Sequence, residues 1–170
     1  MPTNYYMFFV AGLIPLVIGF VYYSPMVAGN AWMKTNKFTK ESMEGGNMPL
    51  ILGLSYVFSC FIAFMMANFV IHQGGVFGMM FPEVMVSGSE TQQHFNELMT
   101  QYGDNSRSFK HGVIHGIITA LLFVAPIIAI NALFERRGWK YMLIHIGYWL
   151  ISLALVGGLI CATLQYAPMS

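Results

Sequence analysis

Charge is what this 170-residue chain has least of: eight Lys or Arg and seven Asp or Glu, together 9% of its residues. Soluble domains carry roughly 25% charged residues, because a surface facing water has to be covered by groups that water solvates. So few charges cannot cover a fold of this size. Hydrophobic residues make up 56% of the chain and its mean hydropathy is +0.61. Lipid must therefore take the place of water over much of the surface. The net charge of +1 gives nucleic acid no electrostatic hold, so no such partner is expected. The length allows one domain.

Cysteine is scarce as well, with only Cys60 and Cys161. Both lie in apolar runs. On the helices read below, their depths differ by ~14 Å at about 1.5 Å per residue. A disulfide tolerates a Cα separation of about 7 Å, so none is predicted within one protomer and both cysteines read as small apolar fillers. No Lys or Arg precedes Lys34. The first apolar run thus lacks the positive segment of a cleaved signal peptide and reads as a retained helix. There is no Gly-x-Ser-x-Gly, no phosphate loop and no Cys-x-x-Cys. No carboxylate lies inside an apolar run, where a proton relay or a cation-coupled carrier needs one. The expectation is a protein that is not an enzyme, with no catalytic residue, no cofactor-binding residue and no cofactor.

What the chain does have is four long apolar runs, at about 5–24, 49–71, 110–134 and 139–164. Each is long enough for a hydrocarbon core of ~30 Å as an α-helix, and none alternates as a membrane β-strand would. The predicted fold is an all-α integral membrane bundle of four transmembrane helices in one domain, residues 1–170. Pro15 removes a hydrogen bond to the carbonyl of Ala11 and should bend the first helix; Pro126 should kink the third. Residues 26–48 read as an interfacial stretch with Trp32 at the headgroup level. In the loop 73–109, Gly74, Gly75, Gly78 and Pro82 predict a turn-rich connector. Ser89-Glu90-Thr91-Gln92 then opens a capped helix. Phe95, Leu98, Met99 and Tyr102 follow at i, i+3, i+4 and i+7, so one short amphipathic helix is expected over 90–102, lying on the membrane or capping the bundle.

Basic residues set the orientation. Lys34, Lys37 and Lys40 follow the first helix, and Arg136, Arg137 and Lys140 lie between the third and fourth. Arg107 and Lys110 stand on the other side. Six against two places the first two loops in the cytoplasm, with the N-terminus, the C-terminus and the long loop outside.

The residues just placed also carry a resemblance. Gly19-Phe20-Val21-Tyr22-Tyr23-Ser24-Pro25, followed by Ala31-Trp32-Met33-Lys34, resembles the signature opening of an uncharacterised bacterial membrane family, domain of unknown function 1761. Its members read Trp/Tyr-Tyr-Ser-Pro and then Trp-Met. Asn131-Ala132-Leu133-Phe134-Glu135-Arg136-Arg137 and Gly147-Tyr148-Trp149-Leu150 are similar too. The likeness spans nearly the whole chain except the outer loop, which is longer than in a typical member. It implies a four-helix protein of the bacterial inner (cytoplasmic) membrane and implies no activity.

Three groups of residues are candidate sites. Gly112, Gly116 and Ala120 on the third helix, and Gly147, Ala154 and Gly158 on the fourth, form small-residue stripes that let backbones approach in lipid. They serve either packing of these two helices on each other or a seam between protomers. His111 and His115 stand at i, i+4, a spacing at which two imidazoles share one metal ion. His72 ends the second helix at the same depth, with Asn68 one turn below, and His94 in the loop is within reach. Metal binding, a hydrogen-bonding cluster and plain interfacial histidines are the three readings. An inner polar cluster of Tyr22, Tyr23, Ser24, Asn131, His145 and Tyr148 reads as an aromatic belt with interhelical hydrogen bonds, or as a small pocket for a headgroup or solute.

The functional expectation is a structural or accessory membrane protein that self-associates as a homo-oligomer or docks on other membrane-protein subunits in the lipid bilayer. The alternative is a small oligomeric transporter or channel, with a path lined by the polar residues of the bundle.

Overall fold

A computed structural model describes residues 2–39 and 45–166. Lys40, Glu41 and Glu44 of the first inner loop lie outside them. Among the described residues the fold is all-α. Helix α1 is Tyr6–Tyr22, α2 Gly29–Asn36, α3 Met48–Val70, α4 Gln73–Met80, α5 Glu90–Tyr102, and α7 Trp139–Thr163. Helix α6 is Phe109–Phe134 and turns π-helical over Ala120–Val124. A 3₁₀ turn, Glu83–Met85, joins α4 to α5. Helices α3, α6 and α7, with 23, 26 and 25 residues, are long and apolar enough to cross a membrane. Helix α1 is equally apolar but has 17 residues, the lower end of what a bilayer needs.

Helix starts follow local chemistry. The side chain of Asn47 accepts from the Leu50 amide at 3.2 Å and Pro49 sits in the first turn of α3, where a missing N–H costs nothing. Ser108 caps α6 by accepting from the His111 amide at 3.2 Å. Helices α1 and α3 carry no charged residue; α6 and α7 carry one each, Lys110 and Lys140, in their first turns.

Helix α7 is the axis of the bundle and packs against α1, α3 and α6. The core around it mixes small residues, with Ala11, Ala63, Ala67, Ala120, Ala132 and Val156 all covered, and larger ones such as Met66, Leu153 and Ile160. Many other large side chains point outward, with Phe58, Phe61, Phe64, Leu121, Leu122 and Phe123 exposed. In water this would be an inverted protein. In hydrocarbon it is the expected arrangement, since lipid solvates phenylalanine as well as a core does and helix association rests on close backbone packing.

The small-residue stripe of α6 serves the contact with α7 within one chain. A Cβ on Gly112 would lie 2.1 Å from the Gly157 carbonyl oxygen, and one on Gly116 would lie 2.1 Å from that of Leu153. Ala154 faces Gly116 in the same seam. The stripe on α7 divides: Gly147 packs under the Tyr22 hydroxyl of α1 and Gly158 under the ring of Phe109. The glycine opposite Gly112 is Gly157.

The π-helical stretch is how α6 accommodates Pro126. Proline has no N–H for the carbonyl of Leu122, and a wider turn just upstream removes the need for that bond. It also changes the register. Eleven residues make close to three α-helical turns, so an unbroken helix would set Asn131 above Ala120. The extra residue puts Ala132 there, fully buried, and Asn131 is exposed.

Helix α5 has the bounds that its cap and stripe predict. Ser89 Oγ accepts from the Gln92 amide at 3.1 Å, and Gln92 Oε1 accepts from the Gly88 amide at 2.8 Å. The preceding segment departs from the expected connector: residues 73–80 are helical despite three glycines. Tertiary contact overrides propensity here. Phe77 meets Phe95 of α5 at 6.0 Å, edge on, and Gln73 Nε2 donates to the Gly103 and Asn105 carbonyls at 2.8 and 3.1 Å.

The first and last described segments meet at the α5 end of the bundle. Asn4 Nδ2 donates to the Thr163 carbonyl, and Asn4 Oδ1 accepts from the Gln165 amide, both at 2.8 Å. Arg107 donates to the Leu164 carbonyl. These bonds satisfy groups that the end of α7 leaves without helical partners. At the opposite end Arg137 Nη1 donates to the Thr35 carbonyl at 3.4 Å, so the two basic loops share one end.

Candidate functional site

Three histidines converge at the α5 end. His111 and His115 come from the run His-Gly-Val-Ile-His-Gly at 111–116, in which each pair repeats after four residues. Gly112 and Gly116 therefore share one face of α6 and hold it against α7. The histidines share the adjoining face, ~100° away, which looks toward the end of α3. His72 stands there, one residue past the cap of α3. Its ring centroid is 5.1 Å from that of His111 and 4.9 Å from that of His115, and the latter two are 4.5 Å apart. Nε2 of His72 and Nε2 of His111 form a hydrogen bond of 3.0 Å. One nitrogen from each of the three rings falls within 4.8 Å of the others. His72 is exposed, and His111 and His115 are half-buried. His94 is not part of the group: it sits on α5 beside Glu97 at 3.7 Å, both exposed. Asn68 is exposed on α3.

A cavity of about 200 Å³ adjoins the histidines, lined by His72, Gln73, Val76, Met99, Tyr102, Asn105 and Ser106. Because Gln73 spends its amide nitrogen on backbone carbonyls, its Oε1 is left buried, without a hydrogen-bond partner among the described residues. Behind the cavity the Cys161 thiol donates to the Val70 and Ser106 carbonyls at 3.4 and 3.3 Å, and neither cysteine is in a disulfide.

The inner polar group assembles around Tyr23. Its hydroxyl meets His145 Nδ1 at 3.1 Å. Tyr22 and Tyr148 pack on it with ring centroids 5.3 and 5.2 Å away. Tyr148 donates to the Pro15 carbonyl at 2.9 Å, tying α7 to α1. Ser24 contributes its backbone, whose carbonyl accepts from the Gly29 amide at 2.9 Å and turns the chain into α2. Asn131 is not brought into this group, for the register reason given above. Trp32, 5.4 Å from Tyr23, and Tyr141, 4.4 Å from His145, join instead. Tyr141 was legible: it precedes His145 by four residues and so shares its face. These contacts make a hydrogen-bonded aromatic layer.

The class that these features define is an all-α protein with three helices long and apolar enough to cross a membrane, a fourth apolar helix beside them, and polar clusters confined to the two ends. Residues 6–161 match the model of a family described as a protein of unknown function (DUF1761). The chain belongs to that family. No match is found among curated proteins or among solved structures.

Proposed function

We propose that the chain is a four-span structural or accessory protein of a bacterial cytoplasmic membrane, both termini outside, that self-associates or docks on a larger membrane complex. The fourth span is α1. It starts where Asn4 bonds the end of α7 and finishes where Tyr23 bonds His145 near the start of α7. It thus runs antiparallel to α7 over most of its length, and a bilayer crossed by one is crossed by the other. The six basic residues of the inner loops, against Arg107 and Lys110, favour that end as cytoplasmic.

The observation that carries the accessory reading is the sealed apolar centre. Among the described residues, the buried polar groups of the apolar helices are Ser59, Ser152 and, near the start of α7, Nε2 of His145. Three such groups do not line a path for a solute or an ion. A shallow apolar groove of about 350 Å³ between α1 and α7, lined by Val10, Leu13, Ile14, Val17, Ile18 and Leu155, offers a partner helix a seat within the bilayer. The test is purification from native membrane in mild detergent, with mass determination and identification of co-purifying chains. The expected result is a particle of more than one chain. A strict 19.1-kDa monomer with no companion subunit overturns the reading.

A further inference from the structure

We propose that His72, His111 and His115 form a binding site for one divalent transition-metal ion of the zinc class. Three features carry this. The first is convergence: three imidazoles, two from α6 and one from the junction after α3, bring one nitrogen each within 4.8 Å of one another. Zinc–nitrogen bonds of about 2.0–2.1 Å separate the nitrogens of a tetrahedral site by ~3.3 Å. His72 and His111, at 3.0 Å, already stand at that spacing; the two edges to His115 lie within 4.8 Å and require its ring to move inward.

The second feature is unused donor capacity. Among the described residues, the six ring nitrogens of these histidines make a single hydrogen bond, the one between His72 and His111. The remaining nitrogens are not closed off by protein, so a metal ion can engage one nitrogen on each ring. The donor set is all imidazole. That disfavours calcium and magnesium, which take oxygen ligands, and suits zinc, copper(II) or nickel.

The third feature is the surroundings. His72 is exposed, so an ion can enter from the aqueous side. Three protein nitrogens leave a fourth position for water, and His72 opens on the 200 Å³ cavity that Gln73 also lines. The backbone contact at Gly112 and Gly116 holds the two α6 histidines in place, as a preorganised site requires.

The experiment uses the full chain in detergent, carrying a tag without histidine, stripped with chelator and titrated with Zn²⁺ alone. One equivalent per chain is expected. The double variant His111→Gln plus His115→Gln should bind at least about 100-fold more weakly, since losing even an outer-shell partner of a metal costs 10–100-fold. His94→Gln and His145→Gln should bind as the parent does. No saturable binding, binding retained by the double variant, or binding lost in His145→Gln overturns the proposal. If the double variant aggregates, X-ray absorption of the Co²⁺-loaded parent decides: three imidazole ligands support the site and two or fewer overturn it.

Discussion

Gly112→Ala tests whether the α6–α7 seam holds the bundle together. The added methyl would sit 2.1 Å from the Gly157 carbonyl oxygen and 2.6 Å from the Cys161 Cβ. Both partners are fixed to the backbone of α7, so no rotamer relieves the clash. Restoring an ordinary contact of about 3.4 Å requires the helices to part locally by more than ~1 Å. A radial gap of 0.5–1 Å forfeits roughly a quarter to a half of the dispersion energy of the atoms involved. In lipid that energy is the main attraction between helices. Overpacking of this kind costs about 1–3 kcal/mol, and two rigid partners put Gly112→Ala at about 2 kcal/mol or more. Gly53→Ala on α3 is the control, because nothing lies within 4 Å of its added methyl. Replacing a helical glycine by alanine in open surroundings is worth roughly +0.5–1 kcal/mol. Reversible unfolding in mixed micelles, followed by circular dichroism, measures both. The two variants should move in opposite directions; equal stability would refute close backbone packing as the basis of the seam.

The ends of the helices give further tests. Ser89→Ala removes the cap of α5 and should cost that helix about 1 kcal/mol, seen as faster amide exchange over 90–102 with little change in the midpoint of global unfolding. Asn4→Ala removes two hydrogen bonds to the end of α7, each worth roughly 0.5–1.5 kcal/mol. Amide exchange near residues 163–165 should quicken, whereas Asn68→Ala, at an exposed position, should leave it unchanged.

What could be read from the residues alone was whatever is local or compositional. The cap and apolar stripe of α5 are contained within fourteen residues, 89–102, and fix that helix without reference to the rest of the chain. The shortage of charge and the four apolar runs bespeak lipid in the same way. The histidine group was legible in part, since i, i+4 spacing and a common depth bring the rings to one level. Depth says nothing of azimuth, however. Asn131 shares its depth with His145 yet faces outward, because a π-helical turn leaves no mark in a periodicity count. The pairing of Gly157 with Gly112 is hidden in the sequence for a similar reason. Steps of seven and four residues select Gly147, Ala154 and Gly158, but which glycine of the 157–158 pair meets α6 depends on how α7 is rotated against three neighbours. Helix α4 was hidden because its glycines argue for a turn, and the contacts that overrule them come from Phe95 and the 102–105 carbonyls.

The wide turn at Ala120–Val124 has an evolutionary corollary. A relative lacking one residue there would run as an unbroken helix with its counterpart of Ala132 eleven positions after Ala120, three turns on, so the half beyond would keep the facing it has here. The wide turn is thus the mark that a one-residue insertion leaves in such a helix: absorbed locally, it re-aims no side chain of either half. A codon can be gained or lost at this point while both leaflets' worth of side chains hold their bearings.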